Sequence, residues 1–254
     1  MAGRYRIILH PSCPSSREVV LGLAERGLLD KVDLVVLDRP MPVGGVFPWS
    51  VPLIVDPSGE PLAMDPVDAV ESAEILEGRW DRSVDDFEAF YWSIVYSAYA
   101  SATLLVHGSP EPLLEESFLK PALRLPLRGL NVEEARERLR PRLGEILEGK
   151  KRDVIVRALA VAVARYYYWA GGRDPERLAG LGPEGVGAVL LAMASIGRSN
   201  LPWKPKPPEA AGELADFLAR GARGLLRKIE REQEQVLGDE EYQEILSKAA
   251  GRRG

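Results

Sequence analysis

Every strand signal in this 254-residue chain falls before Asp65, and none follows. Short apolar runs of strand length stand at Tyr5–Leu9, Val32–Leu37, Val51–Asp56 and Glu60–Met64, separated by Pro, Gly and Ser. From Ser83 onward the apolar residues recur at the three- and four-residue spacing of helices. A chain with strands at one end and helices over the rest cannot build one large sheet. It predicts a small α/β unit followed by an all-helical one.

The order of the early signals narrows the topology. Pro11–Pro14 breaks the first run. Ser15 or Ser16 can then cap a helix whose apolar positions are Val19, Val20, Leu23 and Ala24, and Gly27 closes it. Val32–Leu37 follows after a short connection, so a parallel β-α-β pair with a right-handed crossover is expected. Between the third and fourth runs lies the tight turn Pro57-Ser58-Gly59, which predicts an antiparallel hairpin. Asp65 with Pro66 behind it is a strong helix start, and that helix is expected to reach Glu77 before Gly78. The predicted boundary divides the chain into residues 1–80 and 81–254.

Beyond the boundary, helices are expected at Ser83–Val106, Glu111–Ala122, Val132–Glu148, Arg152–Ala170, Pro183–Ile196, Pro208–Leu237 and Asp239–Ala249. Leu201–Pro208 reads as a stiff Pro-rich linker. Leu214–Leu237 carries an apolar face opposite a charged one, for packing within the chain or against a second copy. Tyr166-Tyr167-Tyr168-Trp169 covers all sides of a helix, so part of it should be exposed or buried against another chain. The basic stretch Arg124–Arg142 is interleaved with Glu133, Glu134 and Glu137 and reads as a solvated, salt-bridged surface.

Composition excludes several classes. The net charge is −5 and the sequence pI about 5.4, so there is no electrostatic case for a nucleic-acid or anionic-lipid partner. One cysteine and two histidines make an internal disulfide impossible and a protein-made metal site unexpected. The uncharged stretch Ala89–Pro110 is diluted by serines and tyrosines and reads as a buried helix, not a membrane span. No secretory leader is visible at Met1–Arg6, so the expected location is cytoplasmic. Scarce Asn, Gln and Thr beside abundant Arg and Glu suit a thermophile, or a GC-rich genome. No Walker loop, dinucleotide glycine fingerprint or Gly-x-Ser-x-Gly elbow is found.

Three local motifs carry a resemblance. Cys13-Pro14-Ser15-Ser16, between the first strand and first helix, is similar to the Cys-Pro-x-Ser form of the glutaredoxin motif. Val51-Pro52 before the third strand resembles the Val-Pro of thioredoxin-like folds, where the proline is cis. Asp56-Pro57-Ser58-Gly59 is similar to their Asp-x-x-Gly hairpin turn. With helices following, the chain resembles the glutathione S-transferase arrangement: a thioredoxin-like N-terminal domain and a helical bundle. The motifs cover residues 5–78, and the remainder matches only in helical content and length. Met64-Asp65-Pro66 stands where that family keeps a Glu-Ser pair for the γ-glutamyl end of glutathione.

The resemblance implies a site. Cys13 at a helix N-terminus would gain thiolate character from the unpaired N–H groups and become a nucleophile. Ser16, one turn on, would donate to the sulfur. Val51 and Pro52 would present backbone to an extended ligand, with Trp49 walling the pocket and Asp65 near the ligand's polar end. Ser12 offers an alternative hydroxyl to activate a bound thiol, and His10 either a base or a strand-ending partner for a backbone group. On the first long helix Trp92, Tyr96, Tyr99 and Thr103 share a face that lines either a co-substrate cleft or the core. Without a second cysteine, a dithiol cycle is excluded and a monothiol cycle needs an external thiol. Two functions remain open. One is a glutathione S-transferase-like or monothiol enzyme acting on a small-molecule thiol or protein disulfide, with glutathione or another low-molecular-weight thiol. The other is a non-catalytic binding or assembly module. A homodimer is in keeping with the resemblance.

Overall fold

The computed structural model describes residues 4–37, 51–55, 57, 61–62, 98–115, 131–195 and 209–251. Strand β1 (Tyr5–Leu9) leads into helix α1 (Pro14–Glu25), and β2 (Val32–Val36) returns parallel to β1, with Ile7 opposite Leu34 and Leu9 opposite Val36. Strand β3 (Leu53–Val55) runs antiparallel to β1 on its other side, and β4 (Pro61–Leu62) pairs antiparallel with β3. The sheet order is β2-β1-β3-β4. The chain is therefore a mixed α/β protein, mostly helical, and among the described residues its strands lie in the N-terminal quarter, as the apolar runs predicted. The Val51–Pro52 peptide bond is cis.

The ends of the strands differ from expectation. Val51 and Pro52 precede β3 rather than opening it, because proline has no N–H for the ladder. The start of α1 also differs. Cys13 itself stands at the N-cap with extended backbone, and Pro14 occupies the first helical position, where its missing N–H costs nothing. Ser15 and Ser16 are already inside the helix. At the other end Gly27 takes φ 65°, a left-handed turn that β-branched or bulky residues resist.

Both faces of the sheet are covered. One face, through Ile7, Leu9, Val32 and Leu34, joins a core that continues through α1 into the helices. The other carries a separate cluster of Ile8, Leu53 and Val55 with Val35 and Leu37 beside it. Burial on both faces explains why Tyr5–Leu9 is a near-continuous apolar run and not an alternating one.

Eight further helices are described: α2 (Ala98–His107), α3 (Glu111–Leu114), α4 (Val132–Ile146), α5 (Gly149–Trp169), α6 (Pro175–Ala179), α7 (Gly182–Ser195), α8 (Ala210–Leu237) and α9 (Glu240–Gly251). α3 stops after a single turn, where Glu115 adopts ψ 150°, so the helix expected to reach Ala122 ends early. α6 went unpredicted although Asp174-Pro175 repeats the Asp-Pro start signal; the Asp174 carboxylate accepts from Glu176 N–H at 2.9 Å. α8 buries Leu214, Leu218, Ala222, Leu226 and Ile229 on one stripe. That stripe packs within the chain against α5, α6 and α7. Arg152–Glu213 and Arg165–Glu232 tie α5 to α8 along its length, at 3.1 and 2.8 Å. The Glu-interleaved surface of α4 is salt-bridged as expected, by Arg138–Glu134 within the helix and Arg140–Glu111 to α3. No helix among the described residues is long and apolar enough to cross a membrane.

The helix expected at Asp65–Glu77, most of the one at Ser83–Val106, and the Leu201–Pro208 linker lie outside the described residues.

Candidate functional site around Cys13

The end of β1 and the start of α1 form one hydrogen-bonded knot. Cys13 N–H donates to the His10 carbonyl at 3.0 Å, and Arg17 N–H donates to the Cys13 carbonyl at 3.0 Å. Ser16, at the third helical position, turns its Oγ back to accept His10 N–H at 3.3 Å. Its hydroxyl thus serves the strand end rather than capping the helix. Pro14 sets the helix direction at its first turn, so each of these groups is fixed by neighbours within six residues.

His10 is held on three sides. Ser12 N–H donates to its Nδ1 at 3.3 Å, and Ser12 Oγ lies 2.9 Å from the same nitrogen. A backbone N–H can only donate, so Nδ1 carries no proton and the neutral ring is protonated at Nε2. The ring stacks on Trp169, with centroids 4.4 Å apart and planes inclined by 18°. His10 therefore satisfies a backbone group at the strand end. Ser12, only 3% exposed, is committed to it.

Cys13 is 1% exposed. Its Sγ lies 3.5 Å from the Val51 carbonyl, a thiol-to-backbone hydrogen bond across the sheet edge. In this contact the thiol is the donor and the Val51 carbonyl the acceptor. Of the expected site residues, the fold gathers Ser12, Cys13, Ser16, Val51 and Pro52 within one small region. Trp49 and Asp65 lie outside the described residues, as do Trp92 and Tyr96 and the side chain of Tyr99. Thr103, on the same predicted face, is buried.

Two residues that sequence reasoning did not attach to the site complete it. Tyr242, on α9, is fully buried, and its hydroxyl donates to the His10 carbonyl at 3.4 Å. Burial, and then the nearby Cys13, push its phenol above the ordinary tyrosine value. Asp239 starts α9: its Oδ1 accepts Tyr242 N–H at 3.0 Å, and its Oδ2 pairs with Arg17 of α1 at 2.5 Å. Those two partners, Tyr242 N–H first, hold the Asp239 carboxyl below its ordinary value. The signal was present in part, since Asp239 sits three residues before Tyr242 in an N-cap pattern. Nothing local says which surface α9 covers.

The aromatic run on α5 is partly buried within the chain. Tyr168 is buried with the Arg173 guanidinium 3.5 Å above its ring, and Tyr166, Tyr167 and Trp169 are half-buried. Tyr168 alone of the four is buried, and the other three keep part of their surface exposed. The chain turns back at Gly171, with φ 89°, and lays Gly172 and Arg173 against the helix end it has just left.

No family model, no curated protein and no solved structure matches this chain.

Proposed function

We propose that the N-terminal region is a thioredoxin-like fold carrying a helical bundle, the glutathione S-transferase arrangement, and that Cys13 is its functional thiol. The β-α-β-β-β order, with a parallel first pair and an antiparallel last pair, supports the fold. The observation that carries the site is the Cys13 sulfur at the N-cap of α1, 3.5 Å from the Val51 carbonyl. The ligand class is a low-molecular-weight thiol or a disulfide. In a monothiol cycle the Cys13 thiolate attacks one sulfur of a disulfide, forms a mixed disulfide and releases the other half as a thiolate. A second, external thiol then attacks the mixed disulfide and returns Cys13 to its reduced form. The Val51 carbonyl, which an extended ligand would pair with, already accepts from Cys13, and the sulfur is covered.

That burial favours a second reading, a non-catalytic binding or assembly module in which Cys13 is a small apolar residue of the core. The pH dependence of iodoacetamide alkylation separates the two. A catalytic thiol reacts well below pH ~8.5, the value of an ordinary cysteine, whereas a core thiol reacts slowly and only above it. Calorimetric titration with glutathione and other small thiols gives heat in the first case and none in the second.

A further inference from the structure

We propose that the solvent-facing ridge of α8 is an interface for a second copy of this chain, packed antiparallel about a two-fold axis. The inference is independent of the reading of Cys13.

α8 buries Leu214, Leu218, Ala222, Leu226 and Ile229 on one side. Residues three and four apart share a helix face, so Arg220, Arg223, Arg227, Glu230, Arg231 and Glu234 form the opposite ridge, and all six are exposed. Like charges at such spacings destabilise a helix, and the four arginines follow one another in this way. Among the described residues none of the four forms an ion pair. Arg220 Nε donates to the Asp216 backbone carbonyl at 3.1 Å, and Arg231 Nε to that of Arg227 at 3.4 Å. Other charges on α8 are matched: Arg165 and Lys228 both reach Glu232, and Arg152 reaches Glu213. Glu230 and Glu234, towards the end of the ridge, again have no cation among the described residues.

The ridge thus carries unmatched cations followed by unmatched anions, and a two-fold axis offers each to the other. In an isologous antiparallel pair, residue i faces j and j faces i. With the axis passing between positions 228 and 229, Arg223 faces the second copy's Glu234, and Arg227 faces its Glu230. Both pairs occur twice. The same register sets the aliphatic stem of Arg220 across from Leu237, an apolar side chain that is 46% exposed. A polyanion would match the arginines but meet Glu230 and Glu234, on a chain of net charge −5. A second copy accounts for both signs. Exposed ion pairs are individually weak and a two-helix contact is small, so the dimer is of the weak, salt-sensitive kind.

The test is sedimentation equilibrium of the full-length protein at about 0.5 mM chain. It is run in about 20 mM and about 0.5 M sodium chloride, between which the screening length falls from about 20 Å to about 4 Å. The parent chain should dimerise at low salt and associate at least about tenfold more weakly at high salt. Two double variants are compared with it: Arg223→Glu with Arg227→Glu, and Glu230→Arg with Glu234→Arg. Each sets like charges opposite one another, so each alone should associate at least about tenfold more weakly than the parent. An equimolar mixture of the two variants regains every pair and should associate to within about threefold of the parent. A parent chain that stays monomeric at low salt overturns the proposal. So does a dimer that survives both reversals, because it then uses another surface. So do variants that are folded by circular dichroism and fail to complement each other. A fluorescein-labelled oligothymidylate, titrated into the parent at low salt, probes the alternative occupant. No binding is expected, and binding by a monomeric chain that is lost in Arg223→Glu with Arg227→Glu assigns the ridge to a polyanion instead.

Discussion

The Tyr242 hydroxyl donates to the carbonyl of His10 at 3.4 Å, across 232 residues of sequence. That single contact joins the C-terminal helix to the turn that carries the only cysteine. It also sets apart the two things Tyr242 does there, which are filling space and making a polar bond.

The two are separable by substitution. Tyr242→Phe keeps the ring and loses one hydrogen bond, worth about 0.5–1.5 kcal/mol. The cost should fall at the low end, because the His10 carbonyl still accepts from Cys13 N–H. Tyr242→Ala removes a fully buried ring and should cost about 3–5 kcal/mol. Urea unfolding of the two variants measures both. A Tyr242→Ala chain within about 1 kcal/mol of the parent would contradict the packing described.

The same residue makes stability depend on alkaline pH. Folded, its phenol is held above the ordinary value by burial and then by Cys13. Unfolded, it ionises near pH 10. Below that point it is neutral in both states and its contribution is intact. As pH rises past 10 the unfolded chain releases a proton that the folded chain retains, so stability falls. Urea midpoints at pH 9 and 11 should drop more for the parent than for Tyr242→Phe.

Asp239 gives the opposite sign on the acid side. Its folded value is lowered, by Tyr242 N–H and then by Arg17. Its contribution is therefore present above the unfolded carboxyl value of about 3.9 and lost as pH falls through the folded one. Asp239→Asn should be less stable than the parent at neutral pH, with the gap closing towards pH 2. A gap that stays constant across that range would place the effect of Asp239 outside its charge.

Gly172 is constrained by shape. A Cβ at this position would run into the Tyr167 ring, whose hydroxyl donates to the Asp174 carbonyl at 3.0 Å. Gly172→Ala should cost about 1–3 kcal/mol, as overpacking does. In a Tyr167→Ala background the same change should be nearly neutral, and a double-mutant cycle on urea unfolding measures the coupling.

The local order of the chain was legible. Tyr5–Leu9 is a strand over the residues its apolar run marks, and the hairpin joins β3 to β4 as its turn chemistry implies. α5, α8 and α9 lie within a few residues of their periodic segments. Less legible was the first turn of α1. Serines looked like its cap, but the cap is Cys13, because Pro14 fits best at the first helical position and Ser16 is drawn back to His10 N–H. The neighbourhood of Ser12, Cys13, Val51 and Pro52 was also readable, since a strand, a turn and a helix start fix it with few degrees of freedom.

What the sequence determined by itself was thus the strand-to-helix division and the position of Cys13 at the junction of β1 and α1. Both follow from periodicity and turn chemistry, which act over a few residues. The tertiary structure alone decided whether that thiol faces ligand or protein. Tyr242, Asp239 and Trp169 reach the site from helices far along the chain, and long-range packing leaves no mark in local spacing. Cys13 therefore keeps the place its motif assigned, in a turn that is tied down by a helix no motif announced.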